Sequence, residues 1–346
     1  MAPVPHPERV LTQRELNRAV LARQLLLERA RLPLPRAVER MGGIQAQYAP
    51  SAYIALWSRL ERFEREALTR ALGRRSLVQA TVLRGTIHIV SRQDYWPWRA
   101  AVRAGDERWL RSVRPWATPQ RTRAANLELR RALAGGPRRA DDLIGEVGKD
   151  AWLATNLDLV RVPPSGTWER RRADLYAPAE KWVSLDDADE EAGREQLIRR
   201  YLAAFGPATI TDIRSWSRLG REETERSLER IGPRAFRDEQ GKKLVDLPRA
   251  PLPDPETPAP PRFLPTWDAI LLVHARRTGV LPEQFRPRIF SSKRPFSMHT
   301  FLLDGAVAGA WRYEKGRIEL ELFRRLTRSE REALEPEREA LAAFHA

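Results

Sequence analysis

The sequence predicts an α+β protein in which three successive units, each made of helices closed by a β-hairpin, precede a small β domain and a final helix. Helical periodicity followed by alternating β periodicity occurs three times along the chain. A proline-rich stretch at 248–261 follows the third unit. Beyond it the pattern is mostly β until a last amphipathic segment at about 329–344.

Length and composition are those of a globular protein with two or more domains. The chain has 346 residues, of which 42% are hydrophobic and 31% charged. No apolar run is long enough to cross a bilayer, and the first residues lack a hydrophobic signal core. The absence of cysteine excludes disulfides and thiolate metal sites. We therefore expect a cytoplasmic protein, associated with the nucleoid if its partner is DNA, and no membrane partner.

The charge balance favours a polyanionic partner. Lysine and arginine total 61 against 46 aspartate and glutamate, which gives a net charge of +15. Such an excess is typical of proteins that bind nucleic acid or an anionic membrane surface. The basic residues are spread along the chain and do not form one tail. Charge alone therefore favours nucleic acid only slightly.

The first unit has clear helix and hairpin signals. Thr12 and Glu15 have the spacing of a capping box, and glycines 42 and 43 predict the end of the second helix. Residues 77–90 alternate as two strands joined by Arg84-Gly85, which predicts a tight hairpin. Helices followed by such a hairpin describe a winged helix, the helix-turn-helix variant with a β wing.

The same order of elements recurs twice, and the whole chain can be divided accordingly. Helices at 126–147 precede strands predicted at 157–163 and 174–182, and helices at 195–231 precede a hairpin at 236–247. Three tandem winged helices around a concave face are predicted at 1–115, 116–190 and 191–250. The proline-rich linker is predicted at 251–262, and the C-terminal β domain with the final helix at 263–346. The apolar run Ile270–Val273 is predicted to be one of the last domain's strands.

A loop in the first unit carries the chemistry that the sequence suggests. Gln45 and Gln47 stand at i and i+2 between a Gly-Gly stop and Tyr48-Ala49-Pro50, so an extended backbone points both amides to one side. Two neutral amides can hold a water through their carbonyl oxygens and present partial negative charge to a developing cation. They cannot take up a proton strongly, so they suit a leaving group that departs unaided. The alternative is a pair of solvated loop glutamines.

The first hairpin supplies candidate contacts to nucleic acid. Arg84 stands at the predicted wing tip, where arginines commonly reach phosphates or the minor groove. Thr86 and His88 follow on the next strand. For His88, a half-exposed strand residue is the favoured interpretation and a DNA contact the alternative.

A second candidate contact lies in the segment 291–299. It combines the basic Lys293 and Arg294 with Met298 and His299 in a predicted loop. A DNA-facing loop with an apolar wedge and a plain surface hairpin fit this composition equally well.

No cofactor or metal is predicted. The five histidines are scattered and lack ligand spacing, and neither a Gly-rich phosphate loop nor a Gly-x-Ser-x-Gly elbow is present. The tryptophans, 11 in all, are interpreted as core residues because most fall on apolar faces.

Several runs together indicate a family. They are Gly43-Ile44-Gln45-Ala46-Gln47 ahead of Ala55-Leu56-Trp57, Arg84 to Val90, Pro207-Ala208-Thr209-Ile210 ahead of Trp216, Phe263-Leu264-Pro265, and Asp304-Gly305. With these runs the chain resembles the AlkZ-like DNA glycosylases of the YcaQ family over nearly its whole length.

The resemblance implies a fold, an activity and a site. Family members have three winged helices around a concave DNA-binding face plus a β domain, and they excise alkylated purines, including N7-linked interstrand crosslinks. Their signature is Gln, an apolar residue, then Gln, with Asp last in a second subgroup. Gln45-Ala46-Gln47 resembles the first subgroup and makes Gln45 and Gln47 the expected catalytic residues. The resemblance further implies a monofunctional, cofactor-free enzyme, monomeric, acting on double-stranded DNA in bacterial base excision repair.

Two other functions remain open from the sequence. The chain could be a non-catalytic winged-helix transcription regulator in which the glutamine loop is only structural. It could also be an RNA- or protein-binding module that uses the same basic surface. A regulator would usually dimerise and favour one sequence, whereas a glycosylase would bind duplexes with little sequence preference.

Overall fold

A computed structural model describes residues 6–148, 159–184, 188–291 and 297–346. The first unit consists of the strands and helices β1 (Val10–Leu11), α1 (Gln13–Arg23), α2 (Leu34–Arg40), β2 (Ile44–Gln45), α3 (Ala49–Arg59), α4 (Arg65–Gly73), β3 (Leu77–Leu83) and β4 (Thr86–Ser91). The capping box is confirmed, since Thr12 Oγ1 accepts from Glu15 N and the Thr12 N–H donates to the Glu15 carboxylate. Within the described residues, none of the helices combines the length and the apolar character that crossing a membrane requires.

The first hairpin is a tight two-residue turn, as the sequence predicts. Leu83 pairs with Thr86, and the two residues between them have φ of 56° at Arg84 and 68° at Gly85. Positive φ at both central residues is the backbone that matches the right-handed twist of the flanking strands. Glycine tolerates this conformation, while Arg84 adopts it only with support from its contacts.

The second unit is joined to the first through a shared sheet. Its elements are α5 (Arg92–Val113), α6 (Pro119–Ala132), β5 (Arg138–Arg139), α7 (Ala140–Val147), β6 (Leu159–Arg161), β7 (Leu175–Pro178) and α8 (Ala179–Val183). Strand β3 pairs with β4 on one side and with β6 on the other, so six strands run in the order β2-β4-β3-β6-β7-β5.

One strand of the second unit is shorter than predicted. The segment predicted at 174–182 is β only over Leu175–Pro178 and then turns into α8. Pro178 breaks the ladder because it has no N–H, and it begins a helix favourably. Residues 157 and 158 of the strand predicted at 157–163 lie outside the described residues.

The third unit follows the predicted order of two-helix turn and hairpin. It contains α9 (Glu190–Phe205), α10 (Ile210–Ser217), α11 (Arg221–Ile231), β8 (Arg234–Asp238) and β9 (Lys243–Asp246). Strand β1 from the N-terminal end pairs parallel with β8, giving a sheet of order β1-β8-β9. Aromatic rings pack around helix α9, whose Tyr201 and Phe205 contact Trp216 on α10. Trp98 on α5 contacts the same tryptophan, with 5.5 Å between the ring centroids.

The C-terminal part is a four-stranded antiparallel sheet covered by the last helix. Its elements are β10 (Arg262–Leu264), α12 (Arg286–Ile289), β11 (His299–Leu303), β12 (Ala306–Glu314), β13 (Arg317–Leu322) and α13 (Arg328–His345), with strands in sequence order across the sheet. The final helix agrees with the prediction at about 329–344.

The predicted strand Ile270–Val273 is wrong. The segment forms 3₁₀ helices at Ala269–Leu271 and Val273–Thr278, and a third 3₁₀ turn follows at Glu283–Phe285. Asp268 starts the first turn, because its carboxylate accepts from Ile270 N and its carbonyl from Leu271 N. A short apolar run buries equally well as a strand or a tight helix, so periodicity could not distinguish them.

Two buried, bidentate ion pairs connect the first unit to the third unit and to the C-terminal part. Arg23 on α1 donates to both carboxylate oxygens of Asp246 on β9, at 2.8 and 2.9 Å. Arg59 at the end of α3 donates to both oxygens of Asp268, at 3.0 and 2.9 Å. All four side chains are almost completely buried. Such pairs are costly to break, because removing one partner leaves the other charge buried and uncompensated.

We predict that Arg59→Met lowers the free energy of unfolding by about 3–5 kcal/mol, because it leaves the Asp268 carboxylate buried alone. Urea unfolding followed by far-UV circular dichroism measures this. Adding Asp268→Asn to Arg59→Met should restore part of the loss. The matched control is Arg328→Met, since Arg328 is 91% exposed beside Glu332 and such pairs contribute less than about 1 kcal/mol. If Arg59→Met and Arg328→Met lowered the free energy of unfolding equally, the larger contribution assigned to the buried pair would be contradicted.

Candidate functional site

The glutamine loop begins where only glycine fits. After α2 ends, the backbone has φ of +74° at Gly42 and +78° at Gly43. A Cβ at Gly42 would lie 3.1 Å from the ring of Phe205, and one at Gly43 would lie 3.3 Å from the ring of Trp98. The chain therefore turns sharply against the aromatic packing of α9 and α5, and this turn directs the following residues along the first hairpin.

The loop is extended, as the sequence predicts. Strand β2 pairs antiparallel with β4, placing Ile44 opposite Ile89 and Gln45 opposite His88, and the Ala46 N–H donates to the Ile87 carbonyl at 2.8 Å. Ala46 is buried at 1% exposure, whereas Gln45 is half-buried and Gln47 exposed. The extended stretch ends before Gln47, which lies in a bend with Tyr48, and both amides hydrogen-bond to residues of the first hairpin.

Each glutamine carbonyl already accepts one hydrogen bond. Gln45 Oε1 accepts from Arg84 Nη2 at 3.3 Å, and Gln47 Oε1 accepts from the Ile87 N–H at 3.0 Å. An amide oxygen has two lone pairs, so each keeps one for a water or a substrate. Both donors belong to the first hairpin, so the hairpin fixes the position of both carbonyl oxygens. The amides are thus oriented before any ligand arrives.

Arg84 turns inward, and this corrects the expectation of a side chain that extends from the wing tip. Its Nη1 donates to the Trp216 carbonyl at 2.7 Å, in the last turn of α10. A cation is favourable there, because helix carbonyls near the C-terminus lack intrahelical partners. Burial lowers the pKa of Arg84 to about 10, and the positive charge of Arg218 contributes to the shift. Arg84 remains protonated at neutral pH and connects the glutamine loop to the third unit.

His88 is buried, so the favoured interpretation as a half-exposed strand residue is wrong. Only 3% of His88 is exposed, opposite Gln45 on the neighbouring strand. Its Nδ1 lies 3.0 Å from the Thr86 carbonyl and donates to it. Burial, together with the charge of Arg84, lowers the pKa of His88 to about 3. The imidazole is therefore neutral. Thr86 was predicted to contact DNA, but its hydroxyl donates to the Leu83 carbonyl at 2.9 Å.

His299, at the C-terminal end of the segment 291–299, lies near the glutamine loop. The ring of His299 on β11 lies 6.4 Å from that of Tyr48, edge to face, and 4.4 Å from that of Trp311. His299 Nδ1 accepts from the Thr266 N–H at 3.0 Å, and burial lowers the pKa of His299 to about 4. Met298 is half-buried. Lys293 and Arg294 lie outside the described residues.

A cavity of about 10 Å³ lies beside Gln45. Gln24, Arg59 and Asp268 are among its polar walls. This volume holds about one water, and the polar walls could satisfy its hydrogen bonds. The part of the chain that the structure describes contains no cluster of three histidine or carboxylate side chains arranged to hold a metal ion.

Two residues near the hairpin tip were not found from the sequence. A Cβ at Gly85 would lie 3.7 Å from the ring of Trp109 and 4.0 Å from Arg218 Nη1. Trp109 is 41% exposed, so its interpretation as a core residue is wrong. Arg218 lies in the turn between α10 and α11. These residues are far from Arg84 along the chain, and no local motif indicates that the fold brings them together.

The chain was compared with known proteins by family, sequence and structure. A family model described as "DNA glycosylase AlkZ-like" matches residues 38–344. An interstrand DNA cross-link repair glycosylase of Streptomyces sahachiroi is 24% identical over 220 residues, a stretch that covers 58% of each chain. The structure of Streptomyces sahachiroi DNA glycosylase AlkZ superposes with a TM-score of 0.80 at 19% identity, covering 97% of this chain and 98% of that one. Sequence similarity thus spans just over half the length of the curated relative, while the fold is shared almost throughout.

The buried histidines predict a pH dependence of stability. Burial lowers the pKa to about 3 for His88 and to about 4 for His299 and His345, against about 6.5 in an unfolded chain. Between these values the unfolded chain binds more protons than the folded one. Urea midpoints should therefore fall as the pH is lowered from 6.5 towards 4.

Two measurements separate the histidines from other titrating groups. In NMR spectra, the imidazole signals of His88 and His299 should stay constant between pH 8 and 5, while N-acetylhistidine amide in the same tube titrates near 6.5. His88→Asn should reduce the dependence of unfolding free energy on pH by about one proton at pH 5. A His88 signal that titrates above pH 6 would refute the neutral, buried assignment.

Proposed function

Because the chain belongs to the AlkZ-like DNA glycosylase family, we propose that it hydrolyses the N-glycosidic bond of N7-alkylated purines in double-stranded DNA, including purines that form interstrand crosslinks. The observation that supports this most directly is the Gln45-Ala46-Gln47 segment, whose two amide side chains are both hydrogen-bonded to the first hairpin. The cross-link repair activity named for the Streptomyces sahachiroi relative is consistent with this substrate class.

The chemistry of the substrate fits a site without a strong acid. Alkylation at N7 leaves the purine cationic, so the base departs without protonation. The site then has to stabilise an oxocarbenium-like sugar and position a water, as in glycoside hydrolysis generally. Burial lowers the pKa of His88 to about 3, so this histidine cannot supply a proton near neutral pH. The base departs as a neutral molecule with the electron pair of the broken C–N bond, water adds to the sugar carbon, and the proton of that water passes to solvent. This leaves an abasic site, with no covalent intermediate and no strand cleavage.

The two glutamines have different electrostatic surroundings and therefore different roles. The carbonyl of Gln45 accepts from a guanidinium cation, which weakens its remaining lone pair as an acceptor. The carbonyl of Gln47 accepts from a neutral backbone N–H and keeps more negative potential. We assign stabilisation of the sugar cation mainly to Gln47 and positioning of the water mainly to Gln45.

The finer architecture is part of the same proposal. We interpret the three helix-and-hairpin units as winged helices, with the boundaries 1–115, 116–190 and 191–250, that line a concave basic face. An open face suits a crosslinked purine, because a base tethered to both strands cannot enter a deep pocket. Met298, His299 and the Lys293-Arg294 segment are proposed to contact the duplex. An enzyme with this substrate would work as a monomer on the bacterial nucleoid, in the cytoplasm.

The proposal predicts base release that depends on both glutamines. On a duplex with one N7-methylguanine, Gln45→Ala/Gln47→Ala should release 7-methylguanine at the spontaneous rate. Loss of electrostatic stabilisation typically costs 10²–10³-fold in rate, roughly, for each group. Gln47→Ala should reduce the rate more than Gln45→Ala. Chromatography of the released base measures this, and anisotropy should show unchanged DNA affinity.

The control is Gln13→Ala, an exposed glutamine in the first turn of α1. It should retain the wild-type rate. A fully active double variant would refute the catalytic assignment. Binding without release by the wild type, on both methylated and crosslinked duplexes, would favour the alternative of a non-catalytic winged-helix protein.

Arg84 is predicted to position Gln45 and not to grip DNA. Arg84→Gln frees the amide of Gln45, and a misplacement of about 1 Å can cost roughly 10²-fold in rate. The expected result is slower release with unchanged affinity and unchanged salt dependence of binding. If Arg84 instead contacted a phosphate, the slope of log K against log[salt] would fall by about 1.

A further inference from the structure

The tip of the first hairpin forms a small surface with Trp109 and Arg218, which we call the tip cluster (Gly85, Trp109 and Arg218). The guanidinium of Arg218 lies over the indole ring of Trp109, 4.4 Å from its centroid. Gly85 is exposed and has no side chain to cover the pair. The cluster is also close to the candidate site, because Arg84, the neighbour of Gly85, donates to Gln45.

Arg218 is held in place, yet one of its donors is unused. It has φ of 61°, and its carbonyl would lie 3.1 Å from a Cβ at Gly105, so α5 and the turn after α10 pack closely here. Its Nη1 is buried and has no hydrogen-bond partner among the described residues. The rest of the side chain is half-buried and donates no hydrogen bond to the described residues, so the edge of the guanidinium that faces solvent can take an external acceptor.

The charges around the cluster leave a positive excess. The guanidinium of Arg84 is near enough to that of Arg218 to lower the pKa of Arg84 further. The carboxylate of Asp106 acts on Arg218 from the other side, but it also accepts from Arg99 at 3.1 Å. Arg108 lies 3.5 Å from Glu223, so that carboxylate is shared as well. The acceptor that best completes this surface is an anion.

We propose that the tip cluster binds a phosphodiester of the DNA strand that carries the target purine, with the solvent-facing edge of the Arg218 guanidinium donating to a phosphate oxygen and Trp109 supporting the guanidinium plane. The identity of the anion rests on the proposed function, since DNA is then the substrate. Stacking on an aromatic face fixes a guanidinium while leaving its edge donors available. This contact would place the target sugar relative to Gln45. The sequence had suggested a phosphate contact for Arg84 instead.

The test measures binding in the Gln45→Ala/Gln47→Ala background, so that it does not depend on catalysis. Arg218→Gln should reduce the slope of log K against log[salt] by about 0.9 on an undamaged duplex. Arg218→Lys should keep that slope but bind more weakly, because lysine retains the charge and loses the stacked fork. Trp109→Leu should weaken binding with the slope retained. Arg312→Gln, on an exposed arginine of β12 beside Glu314, is the matched control and should change neither quantity.

A second measurement identifies the partner atom. Single phosphates within two nucleotides of an N7-methylguanine are replaced one at a time by neutral methylphosphonates. At one position the loss of affinity should be non-additive with Arg218→Gln, as expected for two groups in direct contact. Additive losses at every position would overturn the proposal, and so would a salt slope of Arg218→Gln equal to that of Arg312→Gln.

The two experiments separate this proposal from the proposed function. A coupled phosphate together with no base release from any duplex would support the tip cluster as a DNA site and refute the glycosylase activity. Base release that depends on the glutamines, with no coupled phosphate, would support the glycosylase activity and refute the tip cluster as a DNA site. Titration with inorganic phosphate alone tests a nonspecific anion site. Tight binding of free phosphate, lost in Arg218→Gln, combined with additive methylphosphonate effects would refute a DNA contact.

Discussion

One buried guanidinium organises the candidate site. Arg84 donates to the amide of Gln45 and to the carbonyl of Trp216, so it joins a loop of the first unit to the end of a helix in the third. Burial lowers the pKa of Arg84 to about 10, so the guanidinium stays charged at neutral pH. A buried charge without hydrogen-bond acceptors is costly, so Arg84 depends on these two. The orientation of the Gln45 amide depends on where this cation lies, and its charge adds to the effect of burial in lowering the pKa of His88.

The surroundings of the glutamines favour electrostatics over proton transfer. The pKa of His88 is lowered to about 3 and that of His299 to about 4, so neither ring is poised to exchange protons near neutral pH. The groups that hydrogen-bond to the two amide carbonyls are the guanidinium of Arg84 and the backbone N–H of Ile87. Such a site is suited to a substrate that already contains its own positive charge, which agrees with the proposed N7-alkylated purine.

The sequence predicted local features well and distant contacts poorly. The two-residue hairpin turn at Arg84-Gly85, the capping box at Thr12 and the extended glutamine loop are set by neighbouring residues, and each was found. The direction of the Arg84 side chain depends on acceptors 39 and 132 positions away, which no local pattern contains. The strand predicted at Ile270–Val273 failed for a different reason, since burial of a short apolar run does not decide its backbone. Trp109 was predicted to be buried because its side chain is apolar, but it is 41% exposed.

The shared six-stranded sheet has a mechanical consequence for how a duplex is engaged. Because β3 pairs with both β4 and β6, the second unit is attached by ladder hydrogen bonds to the strand that also supports the glutamine loop. Opening the angle between these units would break that ladder, so the protein behaves as a stiff template on this side. For the proposed glycosylase, the distortion that exposes a purine would then have to come from the DNA. Base steps already weakened by damage deform at lower cost, so stiffness itself would discriminate lesions from intact duplex.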